Sequence, residues 1–352
     1  MFRGGLPLPD LGRQQVDEDD DDGREDSDGE VGADLAHRDF LAEWTTVILS
    51  ILLGPSPARR PSPLDPVGMG KLRGIPAPGI RRRIPMSNAQ AFTTAAMPLD
   101  QQLVLVTGAG RGLGAAIAKA FAHAGSGLVI NYRYSADAAE ELAEAIRARG
   151  GRAAAVEADV TDDRAVDAMF ETAQEEFGMP VSTVVNSALL DYSFNGEERQ
   201  PADEIDYDDL SEQFRGTVGA AMNTIQAAMH GFREIGSGRV INIGTNLVQH
   251  PVVPYHDYTA AKAALLSLTR TFARDLGPAG VRVNMLSGGL LRTTDASAAT
   301  PEGVFDEVAA ASALGHVTTP EEFASAVIFF ASPDSRAVTG QNLIVDNGYV
   351  MR

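Results

Sequence analysis

Residues 103–114 read LVLVTGAGRGLG, and the fold depends on how that stretch is parsed. LVLVT (103–107) is a continuous apolar run of strand length. LGAAIAKAFAHAG (113–125) has apolar residues at helical spacing and ends on a glycine. The glycines between them therefore join a buried strand to the start of a helix. At such a junction the free N–H groups and the positive dipole end of the helix favour a phosphate.

In that context each glycine has a use. Gly108 permits the sharp turn. Gly112 and Gly114, with Leu113 between them, let the backbone approach a pyrophosphate and let the helix pack close to the strand. Gly110, Gly112 and Ala115 fit the G-x-G-x-x-G/A register of dinucleotide-binding loops. An acid at the end of the second strand would hydrogen-bond the adenosine ribose and repel a 2′-phosphate. Here LVINYRYS (128–135) contains no acid, but it does contain Arg133. Arg111 lies inside the glycine loop itself. Guanidinium groups pair well with phosphate, so the expected cofactor is NADP(H) rather than NAD(H).

Downstream the pattern alternates. Strands are expected at 128–132, 153–160, 181–186, 238–244, 281–286 and 342–346. Helices are expected at 135–150, with Ser135 as N-cap, and at 162–178, 206–232, 256–277 and 320–332. The helix over 206–232 carries internal glycines that should break or soften it. Apolar strands alternating with helices imply an α/β fold, a doubly wound parallel sheet covered on both faces. Residues 290–318 are rich in small side chains and are expected to be mobile.

Residues 1–97 have a different texture. They hold 10 of the 19 prolines and the run DEDDDD at 17–22. Outside FLAEWTTVILSILL (40–53) nothing in them is periodic, and such a composition buries too little apolar surface to offset ordering entropy. A disordered N-terminal extension over 1–97 is expected, followed by a folded domain over 98–352. The extension would be either an interaction arm or targeting segment, or an artefact of start assignment, with Met86 and Met97 as natural starts.

Composition narrows the function further. The 352-residue chain has no cysteine and a formal net charge of −19. Thiolate chemistry and cysteine metal sites are excluded. So much negative charge argues against nucleic acid or anionic membranes as partners. No run approaches the ~20 apolar residues of a membrane span. The six histidines are scattered, and no metal site is expected. A cytoplasmic location is the expectation.

YHDYTAAK (255–262) falls in the helix expected at 256–277. Tyr258 and Lys262 are four residues apart and so share a helix face. A cation beside a phenol favours phenolate and should draw the tyrosine pKa down from about 10 toward working pH.

TGAGRGLG (107–114), YTAAK (258–262) and TGQNLIVDNGYV (339–350), in this order and spacing, resemble the short-chain dehydrogenase/reductase family. The second-strand NYR and the Asp159–Val160 pair resemble its 3-oxoacyl-[acyl-carrier-protein] reductases in particular. The resemblance implies a single Rossmann-type domain with a seven-stranded, mostly parallel sheet, assembled as a homotetramer or dimer. It makes Tyr258 the general acid/base and Lys262 its partner, reaching the nicotinamide ribose. Thr245, 13 residues before Tyr258, stands where the family has a serine, and Thr217 where it has an asparagine. Asp159, Val160, Asn186, Ala188 and Thr293 match cofactor-contacting positions. NSAL (186–189) departs from NNAG through Leu189, and Gly288-Gly289 replaces a Pro-Gly pair.

The implied activity is NADPH-dependent reduction of a small-molecule ketone such as a 3-oxoacyl thioester. The alternatives are a dehydrogenase of another secondary alcohol, sugar or cyclic ketone, and an NADP(H)-binding sensor with little catalysis.

Overall fold

The computed structural model describes residues 97–351 apart from 191, 193 and 195–198. The expectations for residues 1–96, including the disordered extension and Met86 as a start, lie outside these residues.

The described chain alternates strand and helix as the sequence predicts. β1 (Leu103–Val106) leads to α1 (Gly112–His123), β2 (Gly127–Tyr132) to α2 (Ala136–Ala148), and β3 (Arg152–Glu157) to α3 (Asp163–Phe177). β4 (Thr183–Asn186) is followed by α4 (Tyr207–Phe214), a π-helical turn over Arg215–Gly219, and α5 (Ala220–Ile235). β5 (Gly238–Thr245), α6 (His256–Leu276), β6 (Val281–Gly288), α7 (Glu302–Ala311), α8 (Pro320–Ala331) and β7 (Asn342–Val345) complete the fold.

The seven strands form one sheet in the order β3-β2-β1-β4-β5-β6-β7, and every pairing is parallel. The five central strands are buried on both faces, so their alternate side chains feed two cores, while the edge strands β3 and β7 are only partly covered. From β1, Val104 and Val106 join Ile117, Phe121, Phe323 and Val327 on one side. Leu103 and Leu105 join Met169, Ile225 and Phe232 on the other. Winding reverses between β1 and β4, and the crevice at the carboxyl ends of these strands is where such sheets bind ligands.

Two local expectations need correction, and a third is met. Ser135 occupies the N-cap position of α2, but its side chain makes no capping bond. Capping bonds come instead from Asp162 at α3, Asp206 at α4 and Thr319 at α8, the last two as reciprocal boxes. Residues 290–318, where no helix is expected, are not all loop. They contain α7, which buries Phe305, and their ends are tied by a Leu291–Thr318 bridge and an Arg292–Glu302 ion pair. The 206–232 helix is softened at its glycines, as expected, into the π turn.

Candidate active site

The glycine loop is held from below by two side chains. Thr107 Oγ1 accepts hydrogen bonds from the N–H groups of Ser187 and Ala188, both at 2.9 Å. Asn131 Oδ1 accepts from Gly108 N at 3.2 Å, and its Nδ2 donates to Ala158 O at 3.0 Å. These bonds draw the loops after β1, β2, β3 and β4 together. Two glycines are required by that closeness. Gly108 has φ +63°, and a Cβ there would stand 2.8 Å from Ala188 Cα. A Cβ on Gly114 would stand 2.4 Å from Gly108 O. No side chain caps α1. The first turn, Gly112, Leu113 and Gly114, thus has no side-chain cap, and an uncapped, glycine-lined helix start suits a pyrophosphate. Arg111 sits exposed at the N-cap position of the same helix.

Arg133 follows β2 and stands at the rim. Its Nε pairs with Asp159 Oδ2 at 3.2 Å, and its guanidinium lies 4.5 Å from the Tyr134 ring centroid. Asp159 also accepts from Thr161 N and Oγ1 through Oδ1. Partial burial pushes the Asp159 carboxyl up, but the Thr161 bonds and the charges of Arg133 and Arg215 outweigh it, leaving the group below its ordinary value. Arg133 is thus oriented through Nε, and its terminal amino groups form the fork that suits a phosphate.

The chemistry-bearing trio lies at the carboxyl end of β5 and in the first two turns of α6. Tyr258 is 8% exposed and Lys262 5%. The Thr245 hydroxyl is hydrogen-bonded with the Tyr258 phenol. Lys262 Nζ donates to Ile243 O at 2.8 Å and lies 5.6 Å from the Tyr258 ring centroid. Burial pushes the phenol up to about 12, against a smaller downward pull from Thr245. Burial also pushes the Lys262 ammonium down to about 8. The expectation that Tyr258 is drawn toward neutral pH is therefore corrected for the chain alone, where burial raises the phenol. At neutral pH Tyr258 holds its proton, the state a general acid needs.

Thr217, Lys262, Asn186, Ala188 and Val160 line one small cavity with room for about one water. Thr217 reaches it from the π turn. The Asn186 side chain is turned into the core. It donates to Asn242 Oδ1 at 2.9 Å and accepts from Thr224 Oγ1 at 2.7 Å. Asn242 continues to Thr269 at 2.9 Å. This satisfied buried network ties β4, β5, α5 and α6 beneath the site.

Thr293 stands exposed on the turn after β6. Thr294 is the residue facing the glycine loop, 3.8 Å from where a Cβ on Gly112 would lie. Leu189 is half-buried beside Ala188. Among the described residues no cluster of three or more His, Asp or Glu could hold a metal, and no helix is long and apolar enough to cross a membrane.

Sequence reasoning missed an aromatic wall. Tyr192 stacks on Tyr258 with centroids 5.2 Å apart and planes at 27°. Phe194 meets Tyr258 edge-on at 5.1 Å, and both contact Tyr255. The Tyr192 hydroxyl donates to Asp257 Oδ1 at 3.0 Å, so Asp257 is a partner of Tyr192 and not a helix cap. Thr107 and Asn131 were also missed as loop anchors. Their signal was their position, one on each side of the glycine loop's strand ends.

The family model described as Enoyl-(Acyl carrier protein) reductase matches residues 108–350. The chain is 33% identical over 269 residues to the short-chain reductase protein NovJ of Streptomyces niveus, covering 75% of this chain and 99% of that protein. It is 34% identical over 265 residues to 3beta-hydroxysteroid dehydrogenase 1 of Eggerthella lenta, covering 72% and 95%. A solved structure of a short chain dehydrogenase from Burkholderia cenocepacia J2315 in complex with NADP aligns with a TM-score of 0.64 at 32% identity, covering 72% of this chain and 99% of that one.

Proposed function

The chain belongs to the short-chain dehydrogenase/reductase family, and from that premise we propose that it is an NADPH-dependent carbonyl reductase with Tyr258 as its general acid. The observation that carries this reading is the buried Thr245–Tyr258–Lys262 set beside an uncapped helix start and its glycine cradle. The cofactor is NADP(H).

Gly108, Gly112, Leu113 and Gly114 would hold its pyrophosphate, with Arg111 and Arg133 at the 2′-phosphate. Asp159, Val160, Asn186, Ala188 and Thr293 would border the rest, Asn186 through its backbone because its side chain is engaged in the core. When bound, the reduced nicotinamide supplies the hydride that reaches the carbonyl carbon. Tyr258 gives its proton to the carbonyl oxygen as the C=O double bond becomes a C–OH. The Thr245 hydroxyl orients that oxygen. Lys262, held by Ile243 O, stabilises the phenolate left behind. Thr217 lines the cavity from which the spent proton is replaced.

Two substrate classes fit a carbonyl acid of this kind. The sequence resemblance suggests an open-chain 3-oxoacyl thioester. The steroid dehydrogenase relative and the rings around Tyr258 favour a cyclic ketone. The partner in either case is a small-molecule ketone or its alcohol, and the resemblance adds a homo-oligomer in the cytoplasm. The test is Tyr258→Phe in the full chain. Ketone-dependent NADPH oxidation should fall about 10²- to 10⁴-fold while NADPH still binds. Unchanged turnover would overturn the assignment.

A further inference from the structure

Four aromatic rings, Tyr192, Phe194, Tyr255 and Tyr258, meet beside the start of α6. Tyr255 and Tyr258 are buried, whereas Tyr192 and Phe194 are only partly covered. Here two rings keep open surface against a buried acid. Their centroids lie 5.2 and 5.1 Å from that of Tyr258. A ketone whose oxygen reaches the Tyr258 hydroxyl must therefore carry its carbon skeleton past Tyr192 and Phe194.

Tyr192 is also held in place. Its hydroxyl donates to Asp257, one residue before Tyr258 on the first turn of α6. Acid and stacking ring are thus referenced to the same turn of helix. Asp257 faces Tyr192, and Arg199 is the cation whose field reaches Tyr255. The rest of the wall is ring surface. A pre-set aromatic face rewards a flat, rigid partner, which stacks on it and has few rotors to freeze. A flexible acyl chain gains less from the same surface and loses more freedom.

Building on the carbonyl-reductase reading, we infer that the substrate is a flat ring ketone, that Tyr192 is the residue selecting it, and that Asp257 is the positioning residue for Tyr192. The selection acts through binding, so it appears mainly in KM. Proton transfer from Tyr258 does not pass through either residue.

The experiment compares two ketones of equal carbon count, bicyclic 2-tetralone and open-chain 2-decanone, with NADPH and the full chain. The wild type should have the higher kcat/KM for 2-tetralone. Tyr192→Leu should lower the tetralone-to-decanone ratio of kcat/KM by about 2- to 10-fold, the worth of one aromatic pair, mostly through KM. Tyr192→Phe keeps the ring and should retain most of the preference. Asp257→Ala should raise the tetralone KM with kcat largely kept, whereas a merely structural role would lower both substrates' rates together. A wild-type preference for 2-decanone, or a ratio untouched by Tyr192→Leu, overturns the inference. If neither ketone is reduced although NADPH binds, it is the reductase reading that fails. The ring slot is then judged by equilibrium dialysis of 2-tetralone against the NADP-loaded chain. Saturable binding weakened by Tyr192→Leu supports it, and no such binding ends it.

Discussion

The two walls of the crevice are made of different material. The nucleotide wall is backbone and small side chains: Gly108 pressed against Ala188 and Gly114 against the Gly108 carbonyl, with Gly112 at the helix start, braced by Thr107 and Asn131. The wall that we propose faces the substrate is aromatic, with Tyr192, Phe194 and Tyr255 grouped around Tyr258. The first wall recognises charge through dipoles and N–H groups, which need the chain itself to come close. The second recognises shape and leaves its choice to a few side chains. Recognition of the shared cofactor is therefore fixed by the fold, while recognition of the substrate can change without disturbing it.

Several measurements would break or sharpen this contrast. The largest effect concerns direction. Because burial holds the Tyr258 phenol near 12, alcohol oxidation needs a phenolate that is scarce at neutral pH. Oxidation kcat/KM should rise about tenfold per unit from pH 6 to 8, while ketone reduction stays flat over that range. A reduction rate that climbs with pH would show that Tyr258 is not the acid.

Next comes Lys262, which burial holds at about 8, below the ordinary lysine value of 10.5. The unfolded chain keeps that proton between these values and the folded chain does not. Stability should therefore rise with pH in the window, by up to about 1.4 kcal/mol per unit. Urea unfolding of wild type and Lys262→Met across pH 8–10 reads this directly, and the variant should lack the rise. An identical pH slope in the two proteins would mean that Lys262 is not neutralised by burial.

On the nucleotide wall, Arg133→Ala should weaken NADPH binding about 10- to 100-fold, the worth of charged hydrogen bonds to a phosphate, and leave NADH binding nearly unchanged. Titration calorimetry with both dinucleotides decides it. Equal losses would mean that Arg133 supports the loop without reading the 2′-phosphate. The smallest effect is in the scaffold. Asp162→Ala should cost about 1 kcal/mol because its side chain caps α3, whereas Ser135→Ala should cost under about 0.5 kcal/mol because its side chain caps nothing. Comparable losses in urea would contradict the cap assignments.

What could be read from sequence follows the same divide. The glycine loop was legible because strand, glycines and helix are contiguous. Tyr258 and Lys262 were legible because four residues define one helix face. The seven parallel strands followed from buried apolar runs separated by helices. The aromatic wall was not legible, because Tyr192 and Asp257 meet across 65 residues and neither belongs to a periodic pattern. The Tyr258 shift was misjudged because proximity to a cation shows in spacing, whereas burial does not. α7 was overlooked because Glu302–Ala311 is short and lies among small residues, although Pro301 and Glu302 mark a helix start and Val304, Phe305, Val308 and Ala309 recur at helical spacing. The core-directed turn of Asn186 likewise depends on Asn242 and Thr224, which no local rule connects to it.

The most direct test of the central claim is parallel oxidation of NADPH and NADH by the full chain with 2-tetralone as the ketone. The account predicts turnover with NADPH, at least about tenfold slower turnover with NADH at subsaturating cofactor, and loss of both in Tyr258→Phe. Turnover that favours NADH, or that survives in Tyr258→Phe, would contradict it.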